Sequence, residues 1–285
     1  MYHPWWVESV TLALHKISTL SYDVAKAYCP IGLIDAIPKV FLMLFSKHIS
    51  FLAQKHGVLP PTKFSSRLGR NTMDTMLLVT HKIKDTWRRD KTAAALFQDV
   101  QGAFLNMVKE QLVHNMHMQQ VPECFINIVN VSLTGRTMHL KFDDFVSEPV
   151  LLNNGTTQGD PSSMFYYTFY NVLLIEVASS SNKLSSGFVD DSMMLAIGDT
   201  IEECHVKLKD MMERPGGGFE WSYTHNSPFE LSNTTLMNLP RSFRDHILEG
   251  LTLDKPNADR TITPSIVLPV LSYKYLPVLF DPKLC

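Results

Sequence analysis

The chain has 285 residues, 45% of them hydrophobic and 19% charged, with a formal net charge of -2. That is enough for one large domain or two ordinary ones, and it excludes a global electrostatic pull toward nucleic acid or an anionic membrane. The four cysteines, Cys29, Cys124, Cys204 and Cys285, are far apart with no C-x-x-C, which argues against a zinc knuckle or a disulfide framework.

The N-terminal "MYHPWWVESV" has neither the basic start nor the apolar core of a signal peptide. The longest apolar runs, such as "VFLMLF" at 40–45, are too short to span a bilayer, so the expectation is an intracellular protein, nuclear or cytoplasmic. Ile37, Val40, Phe41, Leu44, Phe45, His48, Ile49 and Leu52 predict an amphipathic helix stopping by Gly57. The polar "SSRLGRNT" predicts a loop, and 72–89 a second helix with Met76, Leu77, Thr80, Ile83 and Trp87 on one face. "AAALFQDV" predicts a short buried strand that Asp99 ends, and 107–133 two helices parted at Val121-Pro122.

"TMHLKFDDFV" and "EPVLLNN" predict a hairpin. Asp160-Pro161 predicts a helix start, a capping carboxylate followed by proline at the first helical position. The helix after it, "SSMFYYTFYNVLLIEV", is apolar nearly all round and should be buried. "GFVDDSMMLAIG" predicts strand, tight turn, strand. Thr200 and Glu203 form a capping box that opens a helix with Ile201, Cys204, Leu208, Met211 and Met212 on one face. "PGGGF" at 215–219 has no following Lys-Ser/Thr and predicts a flexible connector rather than a phosphate loop. Short strands are predicted near 229–237 and 272–280. The order is helix-rich to about residue 90, then strands and helices mixed, which predicts an α+β chain with an antiparallel sheet backed by helices.

Two aspartate pairs invite chemistry. Asp190 and Asp191 sit in an apolar run, Phe188-Val189 before them and Met193 to Ile197 after. Aspartate is disfavoured in strands and seldom buried unpaired, so the pair is either a turn or a metal site at the turn's tip. If the strand ending at Asp99 is a neighbour, three carboxylates converge. Their repulsion would raise at least one pKa, and a bound divalent cation would reverse that. Oxygen-only ligands suit Mg²⁺ or Mn²⁺, and two such ions are the usual means of in-line phosphoryl transfer. Asp143-Asp144, by contrast, is flanked by Lys141 and Glu148 and predicts a solvated turn. His114 and His117 lack an evident third ligand and predict helix-surface histidines.

Taken together, these motifs resemble the reverse transcriptase domain of retrotransposons without long terminal repeats, the LINE type. "FVDD" looks like the central catalytic motif and "LFQDVQGAF", 96–104, like the first palm motif. "NNGTTQGDPSS", 153–163, looks like the glycine-glutamine-glycine motif. "AYCPIGLIDAIPKVF" and "RLGRNTMDT" look like fingers motifs, and "SYKYLPVLFD" like the primer-grip hairpin. The resemblance covers nearly all of the chain. It implies a right-hand polymerase with fingers-like residues 1–92 and a ferredoxin-like palm over 93–285. It implies RNA-directed DNA polymerase activity with two Mg²⁺ or Mn²⁺ ions, an RNA template, a DNA primer and deoxynucleoside triphosphates. Asp99 and Asp190 are then the principal metal ligands and Asp191 the third carboxylate. Phe104 is the steric gate against a ribose 2′-hydroxyl, or else a plain core residue. Gln158 and Gly159 line the nucleotide pocket, and Lys16 and Arg70 contact phosphate or template.

Several positions depart from the family pattern. Cys29 stands where the fingers motif carries arginine, and loss of that charged fork costs about 1.5–3 kcal/mol of triphosphate contact. Asn233 stands in place of a lysine, Pro277 in place of the primer-grip glycine, and Pro38 where glycine is common. No thumb, nuclease or RNase H domain is read in these residues. The expectation is therefore a truncated or degenerate copy, whose alternatives are an inactive remnant that keeps the fold or a non-catalytic scaffold.

Overall fold

In chain order the elements begin with β1 (Glu8–His15), β2 (Tyr28–Leu33), α1 (Ala36–Lys55), α2 (Thr72–Arg88), β3 (Thr92–Gln98), α3 (Ala103–Asn106), α4 (Lys109–Met118) and α5 (Glu123–Ser132). There follow β4 (Arg136–Phe142), β5 (Phe145–Val146), β6 (Val150–Leu152), α6 (Ser163–Tyr170), α7 (Val172–Ile175), β7 (Lys183–Phe188), β8 (Asp191–Gly198), α8 (Ile201–Glu213) and α9 (Gly218–Thr224). The last are β9 (Thr235–Leu239), β10 (Leu251–Pro256), β11 (Ile262–Val267), β12 (Tyr273–Tyr275) and β13 (Val278–Phe280). This computed structural model describes residues 4–16, 21–24, 27–178, 180–229, 233–242, 250–256, 261–276 and 278–284. Pro277 and Cys285 lie outside the described residues. Two units share the chain, Met1–Val58 with Gly102–Tyr170, and Leu59–Gln101 with Asn171–Cys285.

The first unit is built on a sheet of order β2-β1-β4-β5, with β6 on β4. β1 and β2 were not expected from a stretch read as helix-rich. Their place comes from a partner far along the chain, since β1 pairs in parallel with β4, Val10 opposite His139. A parallel pairing over that separation leaves no hairpin signal in the local sequence. Asp143 and Asp144 form the exposed two-residue turn between β4 and β5, as their charged flanks predicted.

Helix α1 is where predicted but turned about its axis. Ile37, Val40, Phe41 and Leu44, expected to face the core, are exposed, while Pro38, Leu42, Phe45, Ser46, Ile49 and Ala53 are buried. Almost every position between 37 and 45 is apolar, so periodicity cannot choose a face and packing does: Phe45 meets Phe125 and Phe165, ring centroids 6.1 and 6.5 Å away. By length and composition the 20-residue helix is apolar enough to cross a membrane, although its longest uninterrupted run is short. Pro38 is tolerated because it lies in the first turn, where backbone N–H groups have no helical partner anyway.

The second unit is built on the antiparallel sheet β7-β8-β3-β9. β3, "TAAALFQ", is buried at every residue because both of its faces are covered. On one face Ala93, Ala95, Phe97, Met193, Leu195, Ile197, Met237 and Leu239 join Met76, Val79 and Ile83 of α2 in one core. The β12–β13 hairpin adds Tyr275 and Phe280 to it. On the other face lies α8, whose Cys204 thiol reaches Thr92 O at 3.6 Å and whose His205 pairs with Asn238 at 2.8 Å. Helix α2 starts at a capping box: Asn71 Oδ1 accepts from Met73 N and Asp74 N, and the Asp74 carboxylate accepts from Asn71 N. Helix α8 has the predicted buried stripe and the Thr200 half of the predicted capping box, Thr200 Oγ1 accepting from Glu203 N, while the Glu203 carboxylate accepts from Asp199 N instead of Thr200 N.

The glycine stretch after α8 is not a flexible connector. Helix α9 opens directly from it, and a Cβ on Gly217 would stand 2.7 Å from Arg214 O. The run is a corner between two helices, in which Gly217 and Gly218 are there for space and Gly216 for its φ of +73.

A carboxylate cluster at the end of the central sheet

Strand β3 delivers Asp99 and strand β8 begins at Asp191. The register Gln98↔Ser192 places Asp99 opposite Asp191, one step beyond the ladder. Val189 and Asp190 form the two-residue turn between β7 and β8, closed by the pair Phe188↔Asp191. Val189 has φ +56, at the turn position where glycine ordinarily serves. A β-branched residue there stores about 1–3 kcal/mol of strain. The three aspartates singled out in the sequence thus meet at one end of two adjacent strands, all half-buried.

The crowding of negative charge acts on the pKa values of Asp190 and Asp191. Burial pushes the Asp191 carboxyl up to about 6, with Asp190 and Asp99 adding to the rise. Burial also raises Asp190, and the neighbouring Asp99 charge works the same way. Asp99 Oδ2 accepts a hydrogen bond from Asn233 Nδ2 at 3.3 Å. The donor set is hard, anionic and oxygen-only, which suits Mg²⁺ or Mn²⁺. Among the described residues, however, no three acidic, histidine or cysteine side chains already stand close enough to share one ion.

Three neighbours were not singled out in the sequence. Lys63 is fully buried and its Nζ donates to Val189 O at 3.2 Å. Burial lowers its pKa to about 7, while the Asp190 charge acts in the opposite direction. Asn171, at the break between α6 and α7, donates from Nδ2 to the same carbonyl at 2.8 Å. Tyr273 of the terminal hairpin stacks on Phe97 at 4.9 Å, and its hydroxyl is raised by burial and then by Asp191 and Asp99. No motif flags Lys63 or Asn171, and Tyr273 lies in the primer-grip-like stretch with nothing local to tie it to the aspartates; packing brings all three to the cluster.

The acidities set a pH dependence. A carboxyl whose folded pKa is raised is easiest to keep in the folded protein while protonated. The contribution of this group to stability is therefore fully present below the ordinary aspartate range and is lost as pH rises through about 6, the Asp191 value. After discounting for partial solvation the loss is about 1–2 kcal/mol. Melting temperature measured from pH 5 to 8 should show this fall in metal-free buffer and lose it in saturating Mn²⁺, since a divalent cation favours the ionised carboxylates. A pH-independent melting temperature in metal-free buffer would contradict the cluster.

The other predicted site residues fall as follows. Arg70, in the second unit, is exposed, its guanidinium 5.7 Å from the Phe64 ring centroid. The rest belong to the first unit. Phe104 is half-buried with its ring 5.4 Å from that of Tyr167. Lys16 is exposed at the end of β1. Gln158 is exposed, and its carbonyl accepts from Gly32 N at 2.7 Å. Gly159 has φ +122, and a Cβ on it would stand 2.5 Å from Gly32 O. Gly159→Ala should therefore destabilise by about 1–3 kcal/mol, measured by urea denaturation; no change in midpoint would show that the backbone can shift freely there. Asp160 Oδ1 accepts from Ser162 N at 2.7 Å, but α6 begins only at Ser163, so Pro161 lies in the turn before the helix and not at its first position as predicted. His114 and His117 are exposed on α4.

Comparison with known proteins places this geometry. No family model matches the chain. Over 259 residues, 88% of the chain, it is 20% identical to the probable RNA-directed DNA polymerase from transposon BS of Drosophila melanogaster. Telomerase from Candida tropicalis, solved with a fragment of telomeric RNA, superposes with a TM-score of 0.62 over 90% of the chain at 9% identity. Telomerase from Candida albicans, also with telomeric RNA, gives 0.54 over 93% at 10% identity. The chain carries a reverse transcriptase-like domain. This domain spans 28% of the length of the transposon polymerase and 44% of the Candida tropicalis telomerase chain. Its α+β architecture of antiparallel sheets and helices is the one the motifs implied.

Proposed function

We propose that this reverse transcriptase-like domain is an RNA-directed DNA polymerase core of LINE type, adding deoxynucleotides to a primer 3′-hydroxyl on an RNA template. The observation that carries the proposal is the meeting of Asp99, Asp190 and Asp191 at one end of neighbouring strands, where burial and then neighbouring aspartate charge raise the pKa values of Asp190 and Asp191. Likeness to a transposon RNA-directed DNA polymerase supports it. The telomeric RNA in the telomerase structures supports a nucleic-acid partner.

In this reading Asp99 and Asp190 are the principal ligands of two Mg²⁺ or Mn²⁺ ions, and Asp191 is the third carboxylate. Bound divalent cations supply Lewis acidity toward the primer hydroxyl and the triphosphate. The chain's own part is to hold the anions in place before the substrate arrives. The Val189–Asp190 turn keeps Asp190 at the tip, and β3 fixes Asp99 beside it. Following the resemblance, Phe104 acts as the gate against ribose, Gln158 and Gly159 face the nucleotide, and Lys16 and Arg70 meet phosphate or template. Cys29 supplies no charged fork at the fingers position, which lowers triphosphate affinity in this copy.

Primer extension on a primed RNA template, with Mg²⁺ or Mn²⁺ and then with chelator, tests the proposal. Metal-dependent extension is the expected result. Absence of extension under every condition would reduce the domain to a remnant that keeps the fold without the activity.

A further inference from the structure

Two donors converge on one carbonyl at the tip of the β7–β8 hairpin. Lys63 Nζ lies 3.2 Å and Asn171 Nδ2 2.8 Å from Val189 O. Both side chains are buried, Lys63 at 0% and Asn171 at 1% exposure. A buried lysine is costly and needs a reason. The orientation of Asn171 is also costly, since its Oδ1 is buried with no partner among the described residues. Turning the amide over would aim an oxygen at the Val189 carbonyl, so the donor orientation is the one the site demands.

The carbonyl they hold belongs to a strained residue. Val189 takes φ +56, where a β-branched side chain is disfavoured. The segment carrying Lys63 is itself stitched to β7. Phe64 N donates to Gly187 O at 3.3 Å, and Ser186 Oγ to Thr62 O at 3.1 Å. Lys63 is thus anchored, through the residues on either side of it, to the strand that leads into the turn it grips.

We propose that Lys63 and Asn171 are positioning residues that form a clamp on the Val189 carbonyl, holding the strained turn in shape and thereby fixing the Asp190 carboxylate beside Asp99. The consequence for metal binding rests on the reading of Asp190 as a ligand; the clamp on the turn does not. The competing explanation is that Lys63 only fills space. The two differ in how Lys63 couples to Val189, because glycine at 189 relaxes the turn and makes the clamp unnecessary.

The test uses the full chain in four forms: wild type, Lys63→Met, Val189→Gly and the double variant. The readouts are melting temperature in metal-free buffer and the Mn²⁺ concentration that half-saturates the rise in melting temperature. The clamp predicts that Lys63→Met weakens Mn²⁺ by about 10-fold or more, the effect of removing an outer partner of a metal ligand. It predicts that the loss shrinks to about 2-fold when Val189→Gly is present, and that the melting-temperature changes are non-additive. Unchanged or tighter Mn²⁺ binding by Lys63→Met, the result of simply removing a cation, would overturn it. If the wild type shows no Mn²⁺ response, the metal reading fails by itself, and the metal-free melting temperatures decide the clamp: additive changes overturn it, coupled ones support it. If Lys63→Met fails to fold, Asn171→Ala replaces it in the same four-way comparison with the same criteria.

Discussion

Asp190→Asn should abolish primer extension while leaving the fold intact. Asparagine keeps the shape of the side chain and is at home in tight turns, so the β7–β8 hairpin has no reason to open. What is lost is one anion of three. In metal-free buffer that loss relieves repulsion, because the Asp191 carboxyl is raised by burial and then by the Asp190 charge, and Asp190 itself is raised by burial and by the Asp99 charge. The variant should therefore melt at the wild-type temperature or slightly above. With metal the order reverses. A specific site held at 100 times its dissociation constant adds about 2.7 kcal/mol, which for a chain of this size is about 5–10 °C, and the variant should show none of it. Extension should fall by more than the about 10–100-fold that loss of an outer partner costs. Parallel extension assays and Mn²⁺ melts check both halves. Retained extension would remove Asp190 from the ligand set, and a destabilised metal-free variant would show that the carboxylate is structural instead.

The second large effect is on stability. Phe97 is 1% exposed and lies in the middle of the core between the sheet and α2. Tyr273 and Tyr275 stand 4.9 Å from its ring, and Phe280 stands 6.1 Å away. Phe97→Ala should cost about 3–5 kcal/mol, because the surrounding backbone of β3, β8 and β9 cannot collapse into the void. The β12–β13 hairpin has only three residues per strand and is held to the sheet by those rings. It should loosen first, with faster amide exchange over 273–280 than over β3. Phe97→Leu keeps most of the volume and should cost about half as much or less. Equal effects of the two substitutions in urea denaturation would mean that the aromatic stack contributes nothing beyond bulk. Because the hairpin also carries Tyr273 close to the aspartates, the same substitution connects stability to the site: Mn²⁺ affinity should weaken together with hairpin order.

The parts of this protein that can be read from the sequence are those set by short-range chemistry. Capping residues, a fully apolar strand and an aspartate pair in an apolar run carry their own signals. So Thr200 starts α8, "TAAALFQ" forms the central strand, and Asp190-Asp191 falls at a hairpin. Asp143-Asp144 was separated from it by its charged flanks alone, and it lies in an exposed turn. The motif order was enough to name the architecture, since each motif is a local turn or strand end.

Tertiary structure decided what depends on partners distant in the chain. The exposed face of α1 was misassigned because a run of apolar residues satisfies several helical stripes equally, and only the position of Phe125 and Phe165 selects one. The strands β1 and β2 were unread because β1 finds β4 more than a hundred residues away. The glycine run before α9 reads as flexible because the packing of Gly217 against Arg214 and Met211 cannot be seen in a glycine's own identity. Lys63 and Asn171 carry no motif at all; each gains its meaning from one carbonyl, that of Val189, to which the fold brings them. Sequence determined which residues carry charge and where the chain turns. The fold determined which of those charges repel one another, and burial in a low-dielectric sheet end is the physical reason that repulsion matters.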